Sequence, residues 1–170
     1  MARHSIAPVS EPAILDAETR IHDDHHLSLR LWLRLFSCNS QIERYIRQRL
    51  QARFKTTLPR FDLLAQLERA PEELRMSELS QRLMVTGGNV TGVTDGLEKE
   101  SLVVREADSA DRRVYRVKLT PEGARQFEKM AAEHERWIIE LLAGVSSEHK
   151  AQLLDLLGEL KSTLYASRRR

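Results

Sequence analysis

The sequence predicts a mainly α-helical fold with one two-stranded hairpin set into it. Three observations carry this. Apolar residues recur every three or four positions through most of the chain. Ser77 and Thr86 each precede a short helical stretch, with only a few residues, MVT, between the two helices. That is helix-turn-helix spacing. The segment ADSADRRVYRVKLTPEG, residues 107–123, then breaks the period with a charged loop and alternating apolar and basic residues.

At 170 residues the chain can bury one sizeable core, in one or two domains. Its 31% charged and 41% hydrophobic content is that of an ordinary soluble globular chain. The formal charge is only +2, from 27 basic and 25 acidic residues, so placement of charge must decide any nucleic-acid reading. A single cysteine, Cys38, excludes an intrachain disulfide and suits a reducing compartment. No apolar run approaches the roughly 18 residues of a membrane helix. A cytoplasmic protein with no membrane partner is the expectation.

Residues 1–22 carry mixed charge and two prolines and lack a signal peptide's apolar segment, so a flexible N-terminal arm is expected. From Asp23 to about Phe54, Leu27, Leu31, Leu35, Cys38, Ile42, Tyr45, Ile46, Leu50 and Phe54 keep one helical stripe. A helix of about thirty residues is long for a globular domain and needs cover from elsewhere. Pro59 opens a second helix, to Arg69, burying Phe61, Leu64 and Leu67. Ser77 caps a third, Glu78 to Leu83, and Thr86 a fourth, Gly87 to Glu100. Leu102–Glu106 and Val114–Leu119 read as two strands. Thr120 followed by Pro121 opens a fifth helix through about Ala143, which Gly144 stops. Ser146 or Ser147 starts a sixth with Leu153, Leu154, Leu157, Leu160 and Leu164 on one face. The organisation expected is an arm at 1–22, interface helices at 23–57 and 121–167, a compact lobe at 58–120 and a basic tail at 168–170. An isologous dimer through the leucine-rich flanks is the default symmetric answer.

Chemistry concentrates in the middle. On the fourth helix Val90, Val93, Thr94 and Leu97 face inward, leaving Gly88, Thr91, Gly92, Asp95 and Lys99 outward, with Asn89 and Gly96 at the flank. Glycines inside a helix cost roughly 1 kcal/mol each relative to alanine. Such a bare face suits close approach to a DNA groove, with Asn89 and Thr91 as hydrogen-bonding groups, close packing against another helix, or mere tolerance of glycine at an exposed site. The hairpin decides among them. A ribbon after a helix-turn-helix, tipped by Arg112 and Arg113, has the make-up of a wing that enters an A·T-rich minor groove. Asp111 is expected to orient one of the two arginines, with Arg113 at the groove.

These residues resemble the MarR (multiple-antibiotic-resistance regulator) family of winged helix-turn-helix proteins. The wing pattern Asp-x-x-Asp-Arg-Arg followed by Leu-Thr-x-x-Gly falls on Asp108, Asp111, Arg112, Arg113, Leu119, Thr120 and Gly123. The recognition segment is similar at Val90-Thr91, Asp95, Leu97-Glu98-Lys99 and Leu102-Val103. The resemblance implies a mainly α winged helix-turn-helix fold with a two-stranded wing, flanked by N- and C-terminal dimerisation helices. It implies a homodimer, with double-stranded operator DNA read through Thr86, Gly87, Gly88, Asn89, Thr91, Gly92, Asp95, Lys99, Arg112 and Arg113. Gly92 and Gly96 stand where the family often has arginine, which shifts the electrostatics toward the wing and toward Arg60, Arg75 and Arg82. Regulators of this family commonly bind small aromatic acids or related ligands. Here Trp32, Arg34, Phe36, Arg60 and Phe61 are the candidates for an aromatic acid or its acyl-CoA thioester. A ligand-responsive repressor is therefore expected.

Rival constellations are weaker. His22 and His26, with Asp23, Asp24 and His25 between them, have a metal-like spacing but sit at a helix start, where aspartates suit the dipole; no metal is expected. Cys38 on an apolar stripe reads as a small buried hydrophobe, with oxidant sensing as the alternative. GGNVTG matches neither a dinucleotide fingerprint nor a phosphate loop, and no nucleophile–base set is present, so no enzyme and no cofactor are expected. An architectural DNA-binding dimer is the remaining alternative.

Overall fold

A computed structural model describes residues 26–70, 72–84, 86–108, 111 and 114–167. Six helices and three strands run in the order α1 (Leu27–Phe54), α2 (Leu58–Glu68), β1 (Leu74–Arg75), α3 (Met76–Leu83), α4 (Gly87–Lys99), β2 (Val103–Ala107), β3 (Tyr115–Leu119), α5 (Pro121–Leu141) and α6 (Ser147–Ser167). The chain divides into two compact units, residues 1–44 and 45–170. The expected mainly α winged helix-turn-helix fold is present. Of the His22–His26 cluster, residues 22–25 lie outside the described residues, as does the Arg168–Arg170 tail.

In the first unit only the start of α1 is described. It exposes Leu27, Leu31, Trp32 and Phe36. Cys38 is also exposed, which corrects the expectation of a buried thiol. The stripe is real as a periodicity, and among the described residues its members Leu27 and Leu31 stand exposed.

In the second unit the core forms where α2, α3, α4 and the sheet meet. Leu63, Leu64, Leu79, Val90, Thr94, Leu97, Val103 and Val117 are shut off from solvent. Burying each large apolar side chain is worth about 1.5–3 kcal/mol, which makes this cluster the source of the unit's stability. Thr94 is tolerated there because its hydroxyl donates to Val90 O at 2.8 Å. The sheet order is β1-β3-β2, all antiparallel, with Leu74 and Arg105 flanking Val117. The two-stranded expectation missed β1, whose two residues are too few to show alternation.

Helix ends mostly follow the caps. Thr120 Oγ1 accepts from Gly123 N–H at 2.9 Å at the start of α5, and Ser146 Oγ accepts from His149 N–H at 3.2 Å at the start of α6. Helix α3 departs from expectation: Ser77 lies in its first turn and Arg75 is the N-cap, where the Glu78 carboxylate accepts the Arg75 N–H at 2.7 Å. A carboxylate three residues in does the capping that the serine was expected to do. Met84, in the left-handed conformation at φ 55°, ends α3 and turns the chain into α4. Phe127, Met130 and Trp137 pack α5 inward, whereas α6 buries no residue at all.

Candidate nucleic-acid interface

The helix-turn-helix places α4 with its glycine face outward. Side chains added at Gly87, Gly88 or Gly92 would meet nothing within 4 Å. A hollow of about 310 Å3 runs along that face, lined by Thr57, Arg60, Gly88, Asn89, Gly92, Val93 and Gly96. Close packing against another helix of the chain, a competing reading of these glycines, is therefore not what the second unit uses them for. Gly96 differs: a Cβ there would lie 3.7 Å from the Arg60 guanidinium.

Thr86 takes the N-cap position of α4 with extended backbone, but its side chain makes no cap bond. The Thr91 hydroxyl donates back to Gly87 O at 3.0 Å, leaving its oxygen as the group it can present outward. Asn89 is exposed, as is Lys99 at the helix end, where a cation suits the dipole. Asp95 is turned instead to Arg105 on β2, so it meets a protein partner rather than standing open as a reader of bases.

The sequence pointed to Asp108 in the wing pattern but not to its partners, and it gave Arg105 no role. Arg105 Nε donates to Glu98 Oε2 at 2.9 Å, and Arg105 N–H donates to Glu98 Oε1 at 3.2 Å. The Arg105 hydrogen bonds hold the Glu98 carboxyl below its ordinary range against the opposing effect of desolvation, and Glu98 in turn raises Arg105. Asp108 is 4% exposed and accepts from Arg116 Nε at 2.7 Å and Arg75 Nη2 at 3.4 Å. A carboxylate so buried needs such partners, and they tie the wing to the start of α3. Lys118 bridges Glu73 and Glu106, both at 2.8 Å, and these hydrogen bonds push it up to about 12. The signal for Arg105 was available as one basic residue in the apolar run Leu102-Val103-Val104. Asp108 needed the β2–β3 register.

The wing loop is pinned at its base, where Asp108 N–H donates to Val114 O at 2.8 Å and Val114 N–H donates to Asp111 O at 2.9 Å. Arg112 and Arg113 lie outside the described residues, and with them the expected pairing of Asp111. Arg75 and Arg60 prove to be partnered. Arg60 grips Glu100 through two bonds, at 2.9 and 2.5 Å, which offsets the charge it was expected to lend to DNA.

The effector candidates separate. Trp32 and Phe36 stack with centroids 5.9 Å apart and stay exposed, and Arg34 lies between them in sequence on the same exposed stretch. Phe61 is a correction: it is 6% exposed and packs on Phe127 at 5.5 Å and His134 at 4.9 Å, so it is core rather than ligand surface. Its position on the inner stripe of α2 decides this. Among the described residues no His, Cys, Asp or Glu cluster could hold a metal ion, and no helix is long and apolar enough to cross a membrane.

A glycine-faced second helix beside an anchored β-ribbon defines a winged helix-turn-helix DNA-binding protein. Comparisons with known proteins give the family. Residues 56–115 match the family model described as MarR family. The chain is 30% identical over 139 residues to the HTH-type transcriptional repressor YetL of Bacillus subtilis, covering 78% of this chain and 80% of that protein. It is 31% identical over 105 residues to the HTH-type transcriptional regulator YdgJ of the same organism, covering 62% of this chain and just 63% of that protein's length. The crystal structure of a MarR family transcriptional regulator from Silicibacter pomeroyi superposes with a TM-score of 0.72 at 30% identity, over 85% of this chain and 99% of that one. The chain belongs to the MarR family of transcriptional regulators, which are not enzymes.

Proposed function

We propose that the protein is a homodimeric, ligand-responsive repressor that reads a pseudo-palindromic operator and releases it when an effector binds. The observation that carries this reading is the open glycine face of α4 next to a wing tied to it by Arg105. Each α4 enters a major groove through Thr86, Gly87, Gly88, Asn89, Thr91, Gly92 and Lys99, and each wing carries Arg112 and Arg113 to the adjacent minor groove, Arg113 inserting. Asp95 acts there as the partner of Arg105, and Asp111 orients an arginine of the tip. Two-fold symmetry spaces the half-sites about 34–36 Å apart. That the relative YetL is a transcriptional repressor supports this sign of regulation.

The exposed Trp32–Phe36 pair with Arg34 nearby supports an aromatic acid or its acyl-CoA thioester as effector. Arg60 and Phe61 are not part of this proposal, because Glu100 and the core engage them. A second reading, oxidant sensing, draws support from the exposure of Cys38. A mobility-shift assay on the promoter beside the protein's own gene tests both, against aromatic acids, their CoA thioesters and peroxide. Release by an aromatic acid supports the first reading, and release by peroxide that Cys38→Ser abolishes supports the second. Binding that ignores DNA sequence would overturn both in favour of an architectural role.

A further inference from the structure

The cluster joining α4 to β2 is built from more bonds than local folding asks of it. Arg105 uses Nε, Nη2 and its backbone N–H on Glu98, and Nη2 also meets Asp95. Asp95 and Glu98 are three apart on α4, so one planar guanidinium grips two adjacent carboxylates of the same helix. The side chains are 22% exposed for Arg105, 44% for Asp95 and 35% for Glu98. Ion pairs this open add little to stability. What a fork held at several points does supply is geometric definition. Pairing lowers Glu98 and raises Arg105, so the charges that hold the fork persist well beyond the neutral range in both directions.

The two elements so joined are the ones proposed to enter different grooves. Strand β2 is the stem of the wing, and β3 beyond it is tied by Asp108 to Arg75 at the start of α3. We propose that Arg105 is a positioning residue that locks the wing stem to α4 and so sets the spacing between major-groove and minor-groove contacts within each half-site. This rests on the DNA-binding reading above. It assigns Arg105 no contact with DNA. The protein measures its operator as well as reading it.

The test starts from a duplex that the full-length protein itself selects from a randomised pool. One base pair is then inserted or removed between the selected major-groove core and the flanking minor-groove step in each half-site. That moves the step by about 3.4 Å and rotates it around the helix. The unaltered protein should lose roughly tenfold in affinity on either change, the scale of one mismatched base pair. Arg105→Met should compress that penalty to about threefold or less. Arg105→Lys, which keeps the charge but not the fork, should fall between. Glu98→Gln weakens the same grip while leaving Asp95 in place, and it carries the test should Arg105→Met fail to fold. A tenfold spacing penalty persisting in every folded variant overturns the proposal. So does an equal loss on all duplexes, random sequence included, because that is the mark of a general folding defect. Failure of the unaltered protein to select any sequence overturns the DNA-reading function itself, a result distinct from selection followed by unaltered spacing preference.

Discussion

Gly123 shows how one atom can decide a local structure. A Cβ at this position would lie 1.9 Å from the carbonyl oxygen of Leu102, and that oxygen accepts the Thr120 N–H at 3.1 Å. The entry to the wing's first strand, at Leu102, and the first turn of α5 therefore meet backbone to backbone, with no room for a side chain. Gly123→Ala should cost about 1–3 kcal/mol or more, as overpacking against an element that cannot yield. Urea unfolding should show a lower midpoint with an unchanged slope. His134 gives a second single-residue expectation. Burial, and then the charge of Arg69, hold its pKa below the ordinary 6.5. The unfolded chain then binds the proton more readily than the folded one. Stability from this group is complete above about pH 6.5 and is lost as pH falls through the folded value. Thermal midpoints measured from pH 8 to 5 should decline across that window, and His134→Gln should flatten the decline. Glu98, held low by Arg105, adds its own loss only below its ordinary 4.5.

At the scale of elements, α4 sets stability against function. Gly92 lies in open space on a helix, so alanine there should stabilise the fold by about 0.5–1 kcal/mol through helix propensity alone. If the same face lies against DNA, Gly92→Ala should nonetheless weaken operator binding, and a larger side chain should weaken it further. Chemical denaturation and a DNA titration on the same variant check the two halves. A more stable protein with undiminished operator affinity would remove Gly92 from the interface. Elements with a full period or a cap were legible in advance: Thr120 opens α5 as its hydroxyl and the following proline require, and Val90, Thr94 and Leu97 turn inward as their spacing requires. Three features were not. Strand β1 is two residues long and exists only because Leu74 and Arg75 pair with β3, which no local pattern encodes. Helix α3 is capped by a glutamate reaching back to Arg75, a donor–acceptor match that a search for serine overlooks. Phe61 and Arg60 looked like ligand surface because aromatic and guanidinium groups read alike in core and cleft. Phe127, His134 and Glu100, distant in sequence, decide their surroundings.

At the scale of the whole molecule, the unresolved need is cover for apolar surface. Helix α6 buries no residue, and Leu153, Leu154, Leu156, Leu157 and Leu164 remain 45–73% exposed. Leu27 and Leu31 of α1 are likewise exposed. Monomeric soluble proteins rarely leave a large apolar patch to water, and α6 by itself presents five exposed leucines. A second copy supplies matching surface by symmetry, and the proposed pseudo-palindromic operator would take one protomer per half-site. Dimer formation should then be part of folding, so the thermal midpoint should rise with protein concentration. The double variant Leu157→Glu, Leu164→Glu tests this cleanly. Leu157 and Leu164 are 45% and 58% exposed in the single chain, so their replacement removes only part of the burial that one copy makes by itself. The concentration dependence of melting, rather than the loss of stability alone, reports the missing partner. Sedimentation equilibrium should show the unaltered protein as a dimer and the variant as a monomer whose melting no longer depends on concentration. Operator affinity should fall steeply, because each protomer would then hold one half-site alone. A variant that stays dimeric would place the interface elsewhere than α6. An unaltered protein that sediments as a monomer would leave the two-fold reading of the operator without its physical basis.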